Sequence, residues 1–534
     1  MPSVLINSIL GGHSRLTHEG SPGQFRASLG IDPAQPIDDG SGIFTVISSG
    51  LLRPAAAEKF SGTTLAAAPL WMISNPKDAN TYVYDALGSA YSMPADFSTL
   101  TALSDGGTLT GALGNGAAYY DNYIYFAKNT DIARYGPLNG TAAFTGSYWV
   151  GTLAQTATVN TTYPVDFKSS IRYPNHVMHR HSDGVLYVTD VVGNKGALHT
   201  ISTSTTTEEG DTNNNSTFYK LTFGYGLWPT ALESYQDNLA VALYEGSVAN
   251  TGQGRAKIAF WDTTSTAFNK IIWVDFPDQI ITAMKSINGI LYVVSGNINA
   301  EGFRVVRFAG GYSFQEIMYS ETGEPSFAGA IDGGLNRLLL GSYTTIPESD
   351  GCVRAAGLQK DGLGGGHFNI MRATGGTSST NVTALKLADN VEFSFNVPVI
   401  GWTQAGDGST GVSHGFDKQG TAYNNAPSVW WSDLFQVGQP FKITKIRIPL
   451  TAVMPTSVTI IAKIYTDDGA GTTYTLTTFN STNDPNKKNL IRRSDSAGTA
   501  PVGDHNFWLE LRWTGSALMT VGLPIQIDFE IIPD

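Results

Sequence analysis

The chain has 534 residues, of which 15% are charged and 41% hydrophobic, with 59 glycines and a formal net charge of −12. This balance suits a β-rich protein with many turns and argues against global disorder, and the acidic excess argues against generic binding to a phosphate backbone. The single cysteine, Cys352, excludes an intramolecular disulfide and any multi-cysteine zinc site.

The opening decapeptide, Met-Pro-Ser-Val-Leu-Ile-Asn-Ser-Ile-Leu, has neither a basic n-region nor a long apolar h-region. No run approaches the roughly 18 apolar residues of a membrane-spanning helix. The chain therefore reads as one made and assembled in a reducing cytoplasm, without membrane insertion. Residues 1–40 carry Gly11-Gly12-His13-Ser14, Gly23-Gln24-Phe25 and Gly30-Ile31-Asp32-Pro33, with little strand pattern. They read as an extended N-terminal arm. Val4-Leu5-Ile6 and Ile9-Leu10 predict that this arm docks on its own protein or on a neighbour.

Residues 41–432 repeat one phrase, an Asp/Asn turn followed by an apolar alternating strand. It reads Asp121-Asn122 before Tyr-Ile-Tyr-Phe, Asp183-Gly184 before Val-Leu-Tyr-Val, and Asp237-Asn238 before Leu-Ala-Val-Ala-Leu-Tyr. It returns at Asn288-Gly289, Leu335-Asn336 and Asp389-Asn390. Asp, Asn and Gly tolerate the positive φ of a tight hairpin, and the β-branched and aromatic runs suit a pleated surface. A period of roughly 50 residues with one such hairpin each predicts a β-propeller. Strands centred on Tyr82, Tyr123, Leu186, Leu239, Leu291, Leu338 and Phe393 predict about seven blades. Lead-in strands are expected at 229–232, 281–285 and 382–386, and third strands at 257–261 and 304–308. Residues 43–47 and 428–431 are expected to pair and close the ring. The stretches 202–217 and 401–426 read as surface loops.

Residues 433–534 change character. Longer amphipathic strands are expected at 441–450, 458–465, 474–479, 506–513 and 518–531, and together they predict a second, smaller domain, a β-sandwich. In the first of these, Ile443, Lys445 and Arg447 are expected on one face, with Thr444, Ile446 and Ile448 on the other. From Gln436 onward the basic and acidic residues balance, so the acidic excess lies before this domain.

Candidate chemistry is sparse. His176, His179 and His181 form the densest group of metal-ligand types, and His179 and His181 would share a strand face. Arg180 separates them and no carboxylate is placed as a third ligand, so ordinary hydrogen bonding is expected. Asp467-Asp468-Gly469 and Glu209-Gly210-Asp211-Thr212-Asn213 lack the spacing of a calcium loop. Gly362-Leu363-Gly364-Gly365-Gly366 lacks the Lys-Ser/Thr of a phosphate loop. A glycosidase needs one convergent carboxylate pair, whereas Asp121, Asp183, Asp237 and Asp389 recur at a turn and read as backbone geometry. Lys487-Lys488 with Arg492-Arg493 reads as a solvated hairpin loop, with an acidic partner such as a neighbouring propeller as the functional alternative. Trp430, Trp431, Trp508 and Trp513 are expected in packing before sugar stacking. No catalytic, cofactor-binding or metal residue is assigned.

Gly11-Gly12-His13-Ser14, Gln24-Phe25 with Ser28, Gly30-Ile31-Asp32-Pro33 and Gly50-Leu51-Leu52-Arg53-Pro54 resemble the opening of tail-tube and nozzle-type virion proteins of tailed bacteriophages. Trp431-Ser432-Asp433-Leu434-Phe435, with Phe441-Lys442-Ile443 and Ile446-Arg447-Ile448-Pro449, is similar to stretches where such a propeller hands over to a small sandwich. His13 departs from a more usual aliphatic residue, and the Gly50 to Arg53 spacing is one residue short. The resemblance implies a non-enzymatic structural part of the virion, tail-associated and present in several symmetric copies. Its implied partners are other virion proteins and copies of itself, with host surface glycans as a further class. No cofactor and no direct nucleic-acid contact are expected. The alternative reading is a glycan-binding or glycan-cleaving propeller with a carbohydrate-binding sandwich. An intracellular protein-interaction propeller is a third class.

Overall fold

The computed structural model describes residues 2–8, 12–13, 24–32, 34–38, 44–48, 51–59, 65–75, 78–103, 116–127, 131–150, 177–192, 195–201, 221–247, 250–265, 271–297, 302–320, 326–334, 337–341, 352–356, 368–373, 380–388, 397–404, 413–420, 428–466, 473–480, 482, 487–493, 501–515 and 519–533. Among these residues every regular element is a β-strand, and no helix is long and apolar enough to cross a membrane.

Six short strands come first: β1 (Ser3–Ile6), β2 (Gly12–His13), β3 (Gln24–Leu29), β4 (Ala34–Asp38), β5 (Phe44–Ser48) and β6 (Ala56–Lys59). Seven four-stranded sheets follow, each one blade. Blade 1 holds β7 (Pro69–Ser74), β8 (Thr81–Asp85), β9 (Ala90–Met93) and β10 (Thr101–Ala102). Blade 2 holds β11 (Ala117–Tyr120), β12 (Tyr123–Ala127), β13 (Asp131–Gly136) and β14 (Ala143–Val150). Blade 3 holds β15 (Met178–Arg180), β16 (Leu186–Val192), β17 (Lys195–Ile201) and β18 (Leu221–Tyr225). Blade 4 holds β19 (Leu227–Tyr235), β20 (Asn238–Ser247), β21 (Asn250–Trp261) and β22 (Ile272–Asp275). Blade 5 holds β23 (Ile280–Ile287), β24 (Ile290–Gly296), β25 (Phe303–Ala309) and β26 (Phe314–Ser320). Blade 6 holds β27 (Ile331–Gly334), β28 (Arg337–Gly341), β29 (Cys352–Ala356) and β30 (Phe368–Arg372). Blade 7 holds β31 (Thr380–Ala388), β32 (Val397–Gln404) and β33 (Ser413–Gly420), and its outer strand is β6 from the start of the chain.

The first strands of the blades neighbour one another in a closed ring from β7 round to β31 and back. The protein is thus an all-β propeller. Residues 43–47 and 428–431 do not make the closing pair: β5 folds back on β4, and closure is the β33–β6 ladder, Asp417 to Gly420 against Lys59 to Ala56. Four of the inner strands carry a bulge at the same place, beside Pro69/Trp71, Pro229/Ala231, Ile281/Ala283 and Val382/Ala384. A bulge adds local twist, and Ala231, Ala283 and Ala384 just after it leave room where blades converge.

The repeated turn is the hairpin between first and second strands. Asp121-Asn122 (φ 43° and 67°) and Asn288-Gly289 (φ 50° and 79°) are two-residue turns of the type that matches strand twist. The third instance sits one residue earlier than expected, at Gln236-Asp237 (φ 48° and 62°), and Asn238 opens the next strand. Residues 335–336 and 389–390 lie outside the described residues, as does Phe393. The seventh second strand is instead β32, so the expected loop 401–426 contains the end of β32 and all of β33.

The remaining strands are β34 (Ser428–Ser432), β35 (Phe435–Gln436), β36 (Phe441–Pro449), β37 (Val458–Thr466), β38 (Thr473–Asn480), β39 (Asn489–Arg493), β40 (Val502–Gly503), β41 (Asn506–Gly515) and β42 (Ile525–Ile531). They form two sheets. Sheet A runs β1-β42-β36-β39, with β40 on β36. Sheet B runs β2-β3-β34-β41-β37-β38, with β35 on β41. The N-terminal segment is therefore strand in both sheets, and β34, expected in the propeller, is central in sheet B. A register shift between Ile443 and Lys445 turns Ile443 inward with Ile446 and Ile448, against the strict alternation expected there.

The sandwich core is continuous with blades 6 and 7. Leu339, Val353, Met371, Ile400 and Trp402 belong to the same buried cluster as Ile31, Leu52, Trp430 and the sandwich interior. One polar link crosses the same seam: Asp32 accepts from Arg337 at 2.9 Å with both side chains 7% exposed. On the sandwich side of it, Leu52 and Val521 exchange backbone hydrogen bonds of 3.1 and 3.0 Å.

Candidate functional site

The hairpin turns explain the recurring aspartates. Asp183 accepts from the Val185 N–H at 3.0 Å and from the Tyr187 hydroxyl at 2.8 Å. Asp78 does the same for Asn80 N–H and the Tyr82 hydroxyl, at 2.9 and 2.8 Å. These two carboxylates each tie their own turn and the tyrosine four residues on, while Asp121 and Asp237 occupy turn positions of positive φ. First-to-second and third-to-fourth turns open on the same propeller face. Asp96, Asp121, Asp183, Asp237 and Asp262 are exposed there, with Asp78 half-buried. The Ser265 hydroxyl and N–H hold the Asp262 carboxyl down at about 2, and Ser98 lowers that of Asp96. Those two carboxylates therefore stay anionic into the acidic range.

Just inside the same rim, equivalent positions of successive inner strands carry His179, Glu233, Lys285, Asp332 and Lys386. Asp332 takes Lys285 at 2.9 Å, Lys386 at 3.0 Å and the Leu387 N–H at 2.9 Å. Burial raises the Asp332 carboxyl, yet Lys386, Lys285 and that N–H outweigh it and hold the group well below the usual carboxylate range. Burial alone would lower the Lys285 ammonium, and Asp332 with Glu233 more than offsets it, so it titrates above its ordinary value. The arc alternates in sign along the inner strands, and Asp332 neutralises the lysines on either side of it.

His179 and His181 do meet, at a serine. Ser234 Oγ lies 2.8 Å from His179 Nε2 and 2.9 Å from His181 Nδ1. One hydroxyl has one proton, so it donates to one imidazole and accepts from the other. Burial holds His179 below its ordinary value against the pull of Glu233, which leaves it neutral at neutral pH. His176 lies outside the described residues. Among those residues no group of three or more His, Cys, Asp or Glu side chains converges as a metal site. The Glu209, Asp467 and Gly362 stretches also lie outside them. Cys352 is fully buried against Val429, and the half-buried Trp431 packs on the same pair.

Of the tryptophans, Trp430 and Trp513 are core residues. Trp508 stacks on Tyr465 with ring centroids 5.1 Å apart and planes 3° apart. Trp431 Nε1 donates to Glu510 at 3.1 Å, and Glu510 also accepts from the Tyr465 hydroxyl and Arg512. These contacts are within the sandwich.

The outer face of sheet A is different. Leu5, Ile491 and Val502 are 49%, 43% and 37% exposed on it. Lys442, Arg447 and Glu530 are exposed among them, and Lys445 is paired with Asp528 at 3.4 Å. Lys487 and Lys488 are exposed at the corner where β39 begins. Leu5 belongs to the face only because β1 pairs with β42, a juxtaposition that spacing along the chain does not signal.

No family model matches the sequence, and no curated protein matches it. Among solved structures, the chain is similar to the computationally designed Ika8 protein at 14% identity and TM-score 0.34, over 67% of this chain and 100% of that one. It is similar to the WD40 domain of Pan2 from Neurospora crassa at 8% identity and TM-score 0.38, over 68% and 92%. An exo-β-1,3-galactanase from Phanerochaete chrysosporium matches at 8% identity and TM-score 0.27, over 66% and 95%. Likenesses this distant carry no argument about chemistry here.

Proposed function

We propose that the chain is a structural component of a tailed-phage virion, tail-associated, making inter-subunit contacts through its sandwich. One observation supports this reading above the others: both chain ends are woven into a sandwich that shares its core with blades 6 and 7. The result is a rigid two-lobed block in which Asp332 neutralises Lys285 and Lys386, and whose open sheet face is apolar and basic. Such a block suits load-bearing assembly. The glycan reading draws less support, because Trp430 and Trp513 are buried, Trp431 is bonded to Glu510 and Trp508 is stacked on Tyr465. The test is gradient purification of particles from cells producing the phage, followed by peptide mass spectrometry. The chain is expected at constant ratio to the capsid protein across the particle peak. Its absence from that peak would remove the virion reading.

A further inference from the structure

Resting on that reading, we propose that copies of the chain associate head to tail, the outer face of sheet A on one copy seating on the acidic turn face of the next. Sheet faces of a sandwich are normally polar on the outside, and this one exposes Leu5, Ile491 and Val502 as a broken apolar surface. Four exposed cations surround it, Lys442, Arg447, Lys487 and Lys488, against the two exposed carboxylates Glu530 and Asp504. The whole chain is at −12, so the face is opposite in sign to most of its own protein.

The complementary surface is on blades 1 to 4. Their turns present Asp78, Asp96, Asp121, Asp183, Asp237 and Asp262, and among the described residues of those turns and their adjoining strand ends Arg180 is the exposed cation. Leu138 and Pro137 stand half-buried on a turn of the same face, giving the apolar side chains a place to rest. The sandwich sits against blades 6 and 7, away from blades 1 to 4, so a copy does not satisfy its own pair of surfaces. Two different surfaces on each copy make the contact heterologous, which builds a ring when its rotation closes. Charge complementarity of this kind steers association and weakens with salt.

Mass photometry and light scattering of the purified full chain test this. The wild-type chain is expected as an oligomer at about 50 mM salt, with an apparent dissociation constant roughly tenfold weaker at about 500 mM. Lys442→Glu with Arg447→Glu is expected to be monomeric, and so is Asp121→Lys with Asp237→Lys. Mixing the two variant chains is expected to restore association, because each then offers the charge the other lacks. Circular dichroism checks that both fold, and Asp121→Asn with Asp237→Asn, which keeps turn-forming side chains, weakens association if the lysine variant does not fold. A monomeric wild type, or a loss on the sheet side that the turn-side variants do not share, would overturn the proposal. A monomer that still travels with purified particles would overturn this contact and leave the virion reading standing.

Discussion

Asp332 shows how one side chain sets the state of the channel. It is 5% exposed and compensates two ammonium groups from the blades on either side. Asp332→Asn leaves Lys285 and Lys386 facing each other without a counter-charge. Losing one partner of a buried pair costs about 3–5 kcal/mol, and since both lysines still reach solvent a loss of about 2 kcal/mol is expected. The pH dependence has a definite sign. The folded carboxyl is held below its ordinary value, so its contribution is complete above about pH 4, where the unfolded carboxyl titrates, and is lost as pH falls toward the folded value. Urea midpoints of wild type and variant should therefore differ at pH 7 and draw together progressively below about pH 4. A constant gap across that range would mean that packing, not charge, carries the effect.

The first-to-second hairpin is the element most legible in the sequence. Its residue types are dictated locally, by positive φ at two successive positions, and no distant partner is needed to recognise it. Gly289, at φ 79°, has no atom within 4 Å of where a Cβ would stand, so its substitution reads out backbone strain alone. Gly289→Val should cost about 1–2 kcal/mol. Gln236 adopts φ 48° at the place in blade 4 that Asn288 takes in blade 5, and Gln236→Asn should stabilise by a few tenths of a kcal/mol. Thermal melts of the two variants check both signs. Other elements were illegible for an equally physical reason. β1, β3 and β6 are short and pair with β42, β34 and β33, hundreds of residues away, so no local pattern marks them. The bulge in β36 likewise breaks the period-2 rule that put Ile443 on the same face as Lys445 and Arg447. The apolar face of sheet A needed β1 in position before it could be seen as one surface.

At the scale of the whole molecule, the chain begins in the sandwich, closes the propeller, runs round seven blades and returns to the sandwich. Both lobes therefore depend on the same first 60 residues, through β1 and β3 on one side and β6 on the other. This wiring, with the common core and the Asp32–Arg337 pair across the seam, makes one cooperative unit of what would otherwise be two domains. Asp32→Ala tests that directly, since it strands a buried guanidinium at the junction instead of within either lobe. The expected cost is about 3–5 kcal/mol. Its form matters more than its size. If the lobes fold as one, calorimetry should show a single transition moved to lower temperature, with tryptophan fluorescence, which reports Trp430 and Trp513 of the sandwich and Trp228 and Trp261 of blade 4, shifting together with far-ultraviolet dichroism. If the sandwich were an appended module, the variant would split into two transitions, with blades 1 to 5 melting at the wild-type temperature. A split would dissolve the rigid block on which the assembly reading stands, because a hinged sandwich could not hold a fixed angle between copies around a closed ring.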